Sequence, residues 1–148
     1  MRTRFLFLAV FVLAFLATGA LAASNMAATA SPPTVTARSS DFGQILFSGT
    51  TRALYAFTHD PRGKATCYGA CAKAWPPYIV TGTLRAGAGT SRSLLGTSRR
   101  KDGRRQLTYA GRPLYFYVHD GPGQVLCQNV REYGGLWLVV RANGALVR

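Results

Sequence analysis

Leu54-Tyr55-Ala56-Phe57-Thr58-His59-Asp60 is restated sixty residues later as Leu114-Tyr115-Phe116-Tyr117-Val118-His119-Asp120. Leu, Tyr, an aromatic, His and Asp recur in the same register, and the match runs on through Gly63 with Gly123 and Cys67 with Cys127. A repeat of fixed period decides architecture before local propensity does, because one copy is too small to bury its own apolar face. The chain therefore reads as two copies that interlock around one core.

Working outward from each copy, the signals are those of β-structure. Gln44 to Phe47 and Arg52 to Phe57 are short apolar runs separated by Ser48-Gly49-Thr50-Thr51, which reads as a hairpin loop. In the second copy Gln106 to Tyr109 and Pro113 to Val118 are joined across Ala110-Gly111-Arg112. Pro113 has no N–H to donate, so it suits a strand start or an edge. Trp75-Pro76-Pro77-Tyr78 and Gly134-Gly135-Leu136-Trp137 place an aromatic anchor at the close of each copy. Leu138 to Val140 continues as a strand, Asn143-Gly144 suits a type I′ turn, and Ala145 to Arg148 can pair back. Asp102-Gly103 reads as a further tight turn, and only Ala70 to Trp75 as a helical turn. The expected fold is all-β: two hairpin-based repeats, about 41–81 and 103–141, related by a pseudo-twofold within one small domain spanning 41–148.

The N-terminus has a different character. Arg2 and Arg4 precede an apolar run from Phe5 to Ala17, and Ala20-Leu21-Ala22 supplies a small-x-small cleavage pattern. Residues 1–22 are expected to be a signal peptide, the apolar run being shorter than the roughly 20 residues of a membrane span. Residues 23–40, small, polar and Pro-containing, read as a flexible leader. The expected localisation is secreted or periplasmic, with no transmembrane helix after cleavage.

The 148 residues carry 18 basic against 5 acidic side chains, a formal charge of +13, and nearly half are apolar. A packed core is feasible, and the charge favours polyanionic partners. Arg99, Arg100, Lys101, Arg104 and Arg105 cluster around the Asp102-Gly103 turn, with Arg112 nearby. This turn is the candidate contact for an anionic envelope polymer or membrane surface. No nucleic-acid motif accompanies the charge, so sequence-specific nucleic-acid binding is not expected.

The Tyr-x-aromatic-x-x-Asp motif at Tyr55/Phe57/Asp60 and Tyr115/Tyr117/Asp120 resembles a secreted-repeat family of unknown function, catalogued as predicted bacterial lipoproteins. The segments Cys67 to Pro77 and Asp102 to Tyr115 add to the resemblance, which covers roughly residues 41–141. It implies a secreted or envelope-attached module and brings no established activity. Two departures stand out: there is no lipid-attachment cysteine, and Cys127 occupies a position where a Gly is expected.

Tyr55 with Phe57, and Tyr115 with Tyr117, stand at i and i+2 of a strand and share a face, which makes them core candidates. Asp60 and Asp120 at the strand ends are positioned to accept hydrogen bonds from the turn that follows. A sharper alternative is that the pseudo-twofold brings His59 and His119 together with Asp60 or Asp120 as a site for Zn, Cu or Fe. Three cysteines allow three single pairings in an oxidising compartment. Cys67 with Cys127 is the symmetric one across the copies, whereas the family resemblance favours Cys67 with Cys71 and leaves Cys127 as the odd thiol. Glu132 is the only glutamate, and neither a Ser-His-Asp order nor a phosphate loop is present. The leading functional expectation is a non-catalytic secreted binding module. The alternative is a metal-binding or redox accessory protein using the His-Asp ends.

Overall fold

The computed structural model describes residues 34–148; the expected signal peptide and the leader up to residue 33 lie outside them. Strands run in the order β1 (Val35–Ser40), β2 (Gly43–Ser48), β3 (Tyr55–Phe57), β4 (Leu95–Arg99), β5 (Arg105–Tyr109), β6 (Arg112–Tyr115), β7 (Val130–Glu132) and β8 (Gly135–Val139). One short helix, α1 (Ala70–Ala74), follows β3. β1 and β2 form a two-stranded sheet, and the others form a six-stranded sheet in the order β4-β5-β6-β3-β8-β7. The fold is all-β and two-repeat, as expected.

The leader boundary needs correction. Val35 to Ser40 is a strand, paired antiparallel with β2 from Val35↔Ser48 to Ser40↔Gly43. Thr34-Val35-Thr36 is β-branched, but the run is too short to show a period, and its strand state comes from a partner that lies later in the chain. The first repeat thereby acquires a hairpin, β1–β2, matching β4–β5 in the second.

β3 and β6, the strands of the repeated stretch, are neighbours at the middle of the large sheet, with Tyr55 facing Tyr115 and Ala56 facing Leu114. Equivalent residues opposite one another in an antiparallel pair place a local twofold between them. The rest obeys it: Thr58 N–H donates to the Leu136 carbonyl as Val118 N–H does to Ala74, and Gly63 N–H donates to Gly111 as Gly123 N–H does to Thr51. β8 flanks β3, with Phe57 facing Trp137. The segment Ala74 to Tyr78 flanks β6 in the same way, bonded to Phe116 and Val118, but Pro76 and Pro77 lack the N–H groups that would extend it into a strand.

Both faces of this central pair are buried. Tyr55, Phe57 and Tyr115 join an aromatic core with Phe47, Trp75 and Trp137, while Leu54, Ala56 and Leu114 join an aliphatic one with Leu46, Leu95, Leu107 and Val140. Alternate residues of a strand point to opposite faces. The runs read as continuously apolar because they separate two cores.

Turn chemistry fits the sequence with two refinements. The β5–β6 hairpin closes on Ala110-Gly111 alone, both at positive φ (49° and 75°), the backbone of a type I′ turn. The expected type I′ turn at Asn143-Gly144 is instead a three-residue loop: Arg141 N–H donates to the Ala145 carbonyl, and of the pair only Gly144 has positive φ. Asn143 uses its side chain, accepting from Ala145 N–H at 3.0 Å, in place of a left-handed backbone.

Candidate functional site

The repeated motif builds a crossed pair of hydrogen bonds. Tyr55 Oη donates to Asp120 Oδ2 at 2.7 Å, and Tyr115 Oη donates to Asp60 Oδ2 at 2.6 Å. Each tyrosine reaches the aspartate of the other copy. The second oxygen of each carboxylate holds its own loop: Asp60 Oδ1 accepts from Thr66 N–H and Thr66 Oγ1, and Asp120 Oδ1 accepts from Leu126 N–H. The strand-end aspartates thus satisfy donors of the following loop, as expected, and tie the copies together as well. Burial pushes both carboxyls above their ordinary range, opposed by these hydrogen bonds. Burial, with the adjoining carboxylates, also raises both phenols far above theirs.

Aromatic rings repeat the exchange. Phe57 stacks on Trp137 at 4.3 Å between centroids, and Tyr117 packs on Trp75 at 4.8 Å, each again on the other copy's ring. Trp75 and Trp137 stack on one another at 4.1 Å and 4°. Both indoles are fully buried, so the motif's rings form core, with Tyr117 at its half-exposed margin. Trp75 Nε1 donates to Glu132 Oε2 at 2.8 Å, while Trp137 Nε1 is buried without a partner among the described residues.

His59 and His119 sit at the two outer ends of this array, beside Phe57 and Tyr117 respectively, and both are exposed. The metal expectation is thereby corrected. Among the described residues no group of three His, Cys, Asp or Glu side chains stands close enough to hold an ion. His59 and His119 are carried to opposite ends of the stack, and Asp60 and Asp120 are already engaged by Tyr115, Thr66, Tyr55 and Leu126.

Cys67 and Cys71 are disulfide-bonded across the start of α1, and Cys127 is a half-buried free thiol. Cys127 follows Asp120 as Cys67 follows Asp60, but the second copy runs into β7 where the first forms α1 and its second cysteine. A disulfide closing so short a loop removes little denatured-state entropy, so Cys67→Ser/Cys71→Ser is expected to cost about 2 kcal/mol in denaturant unfolding.

The basic turn divides into two kinds of residue. Arg100 is buried: Nη1 donates to Gln106 Oε1 at 2.5 Å, Nη2 to the Cys67 carbonyl at 2.8 Å, and its guanidinium lies over the Tyr68 ring. Its place in the anionic contact is corrected on that ground, since its donors face the protein. Arg99, Lys101, Arg104 and Arg105 are exposed. Arg104 is paired with Asp102 through Nε and Nη2, leaving Arg99, Lys101 and Arg105 as the cations at the tip without an acidic partner among the described residues. A cleft of about 580 Å³, lined by Tyr78, Val80, Leu84 and Arg85 among others, contains none of the motif residues.

The sequence profile of a family described as "secreted repeat of unknown function" matches residues 36–78 and again 96–141. The chain belongs to that family. The first match begins within β1, in keeping with a repeat that starts before Asp41. The first matched segment covers β1 to β3 with the Asp60 loop and Trp75, and the second covers β4 to β8 with the Asp120 loop and Trp137. No curated protein and no solved structure matches the chain. Among its described residues no helix is long and apolar enough to cross a membrane.

Two participants escaped sequence reasoning. Glu132 as acceptor for Trp75 is distant in the chain and has no counterpart in the first copy. The exchange of Tyr and Asp left a signal in the constant Tyr-x-x-x-x-Asp spacing of both copies, a pair locked in register without being able to lie side by side on one extended strand.

Proposed function

We propose that this secreted repeat is a non-catalytic, envelope-associated binding module that holds an anionic envelope polymer through the β4–β5 tip. The observation that carries the reading is the tip itself: Arg99, Lys101 and Arg105 are exposed around a turn whose one carboxylate, Asp102, is engaged by Arg104. Arg100 supports it from beneath, fastening the turn to Gln106 and to the loop at Cys67. Exposed cations on an ordered hairpin attract a polyanion without paying for the ordering of a flexible tail. Tyr55, Tyr115, Asp60 and Asp120 of the motif contribute the scaffold, their polar groups internally satisfied.

Binding to lipopolysaccharide or teichoic acid is expected to fall steeply with salt, as counterion release requires. Arg99→Ala/Lys101→Ala/Arg105→Ala should weaken it at least about tenfold and flatten the log–log salt dependence by about one per cation removed. Thermal unfolding should stay close to that of the parent, because exposed charges contribute little to stability. Unchanged affinity in a folded triple variant would exclude the tip as the contact.

A further inference from the structure

The twofold that relates the repeats makes Arg112 the counterpart of Arg52, and the two guanidinium groups meet different surroundings. Arg52 lies 4.6 Å from the centroid of the Phe116 ring and donates Nη2 to the Tyr117 carbonyl at 2.5 Å. Ala56 stands at the position matching Phe116, so Arg112 has no equivalent ring. Its Nε, like that of Arg52, is buried without a partner among the described residues.

A further arginine reaches the same corner from another part of the chain. Arg62 donates Nη1 to the Ala110 carbonyl, and its side chain comes within 3.5 Å of where a Cβ on Gly111 would stand. Ala110 also abuts Gly144. Burial, then Arg62, then Arg148 hold the Arg112 guanidinium below its ordinary range. The ion pairs among the described residues, Arg100–Asp102 and Arg104–Asp102, involve neither Arg62 nor Arg112.

Like charges gathered at a half-buried corner repel one another through a medium of reduced dielectric. A bound oxyanion reverses that repulsion and offers acceptors to planar forks whose geometry suits phosphate. We propose that Arg62 and Arg112 form an oxyanion site beside the Ala110-Gly111 turn, and that its ligand is a phosphate group. The site is separate from the β4–β5 tip: they lie at opposite ends of β5, roughly 17 Å apart at the usual rise per residue. It stands whether or not the tip holds a polymer.

The test is a titration of the ¹⁵N-labelled protein, following the arginine Nε–H resonances, with inorganic phosphate in one arm and teichoic acid in the other, each against chloride at matched ionic strength. A saturable shift centred on Arg112 is expected, with affinity reduced at least about tenfold in Arg112→Gln and in the exposed-site variant Arg62→Ala. Arg99→Ala/Lys101→Ala/Arg105→Ala should leave that shift intact. Tighter binding per phosphate in the teichoic acid arm identifies a polymer phosphodiester as the ligand, and tighter binding of the free ion identifies a small phosphate. Shifts no larger than those with chloride in both arms, or a saturable shift that survives Arg112→Gln and Arg62→Ala together, would overturn the site.

Discussion

Asp60→Ala is expected to destabilise the domain by about 3–5 kcal/mol, because it strips the acceptor from Tyr115 Oη, Thr66 N–H and Thr66 Oγ1 at once. Asp60→Asn, which keeps the shape and one carbonyl oxygen, should cost less. Chemical denaturation of both variants measures the difference. The same carboxyls give stability a pH dependence of definite sign. Burial raises Asp60 and Asp120 in the folded state, so the folded protein retains these protons to higher pH than the unfolded chain does. Their contribution is full below the ordinary carboxylate range and declines as pH rises through the folded values. Asp60→Asn/Asp120→Asn should flatten that decline. A variant whose stability still falls over the same interval would place its origin elsewhere.

Trp137→Ala should have an effect of similar size or greater. The indole is fully buried, stacked between Phe57 and Trp75 and met edge-on by Tyr115 at 5.2 Å. Removing a buried aromatic of this size ordinarily costs about 3–5 kcal/mol, and here the void would open at the join between the two copies. Trp137→Phe should recover much of the loss, since Trp137 Nε1 has no hydrogen bond to forfeit. Trp75→Phe, by contrast, leaves Glu132 Oε2 without its donor. Urea unfolding of the three variants should therefore rank Trp137→Phe above Trp75→Phe, with Trp137→Ala last.

Much of this architecture was legible because it is written twice. The Leu-Tyr-x-aromatic pattern marked β3 and β6, the family resemblance pointed to Cys67 with Cys71, and Asp102-Gly103 marked the β4–β5 turn. What could not be read depends on contacts between distant positions. Val35 to Ser40 lacks a strand pattern of its own and becomes β1 through β2. Arg100 is indistinguishable in sequence from Arg99 and Lys101, and only the fold aims its guanidinium inward at Gln106 and the Cys67 carbonyl. His59 and His119 share a motif position, which suggested convergence. A twofold brings together residues near its axis and separates those far from it: Tyr55 and Tyr115 meet, while the histidines lie outward beyond Phe57 and Tyr117.

That distinction governs the functional reading. The tyrosines, aspartates and Phe57 of the motif are occupied in joining the copies, and the surfaces proposed for a partner are the cationic tip of β4–β5 and the arginines around Ala110-Gly111. The most direct measurement is a pair of double-mutant cycles in equilibrium unfolding, one combining Tyr55→Phe with Asp120→Asn and the other Tyr55→Phe with Asp60→Asn. A coupling of about 1–3 kcal/mol is expected between Tyr55 and Asp120, which lie in different copies, and about zero between Tyr55 and Asp60 of the same copy. Coupling confined to the same-copy pair would contradict the crossed lock.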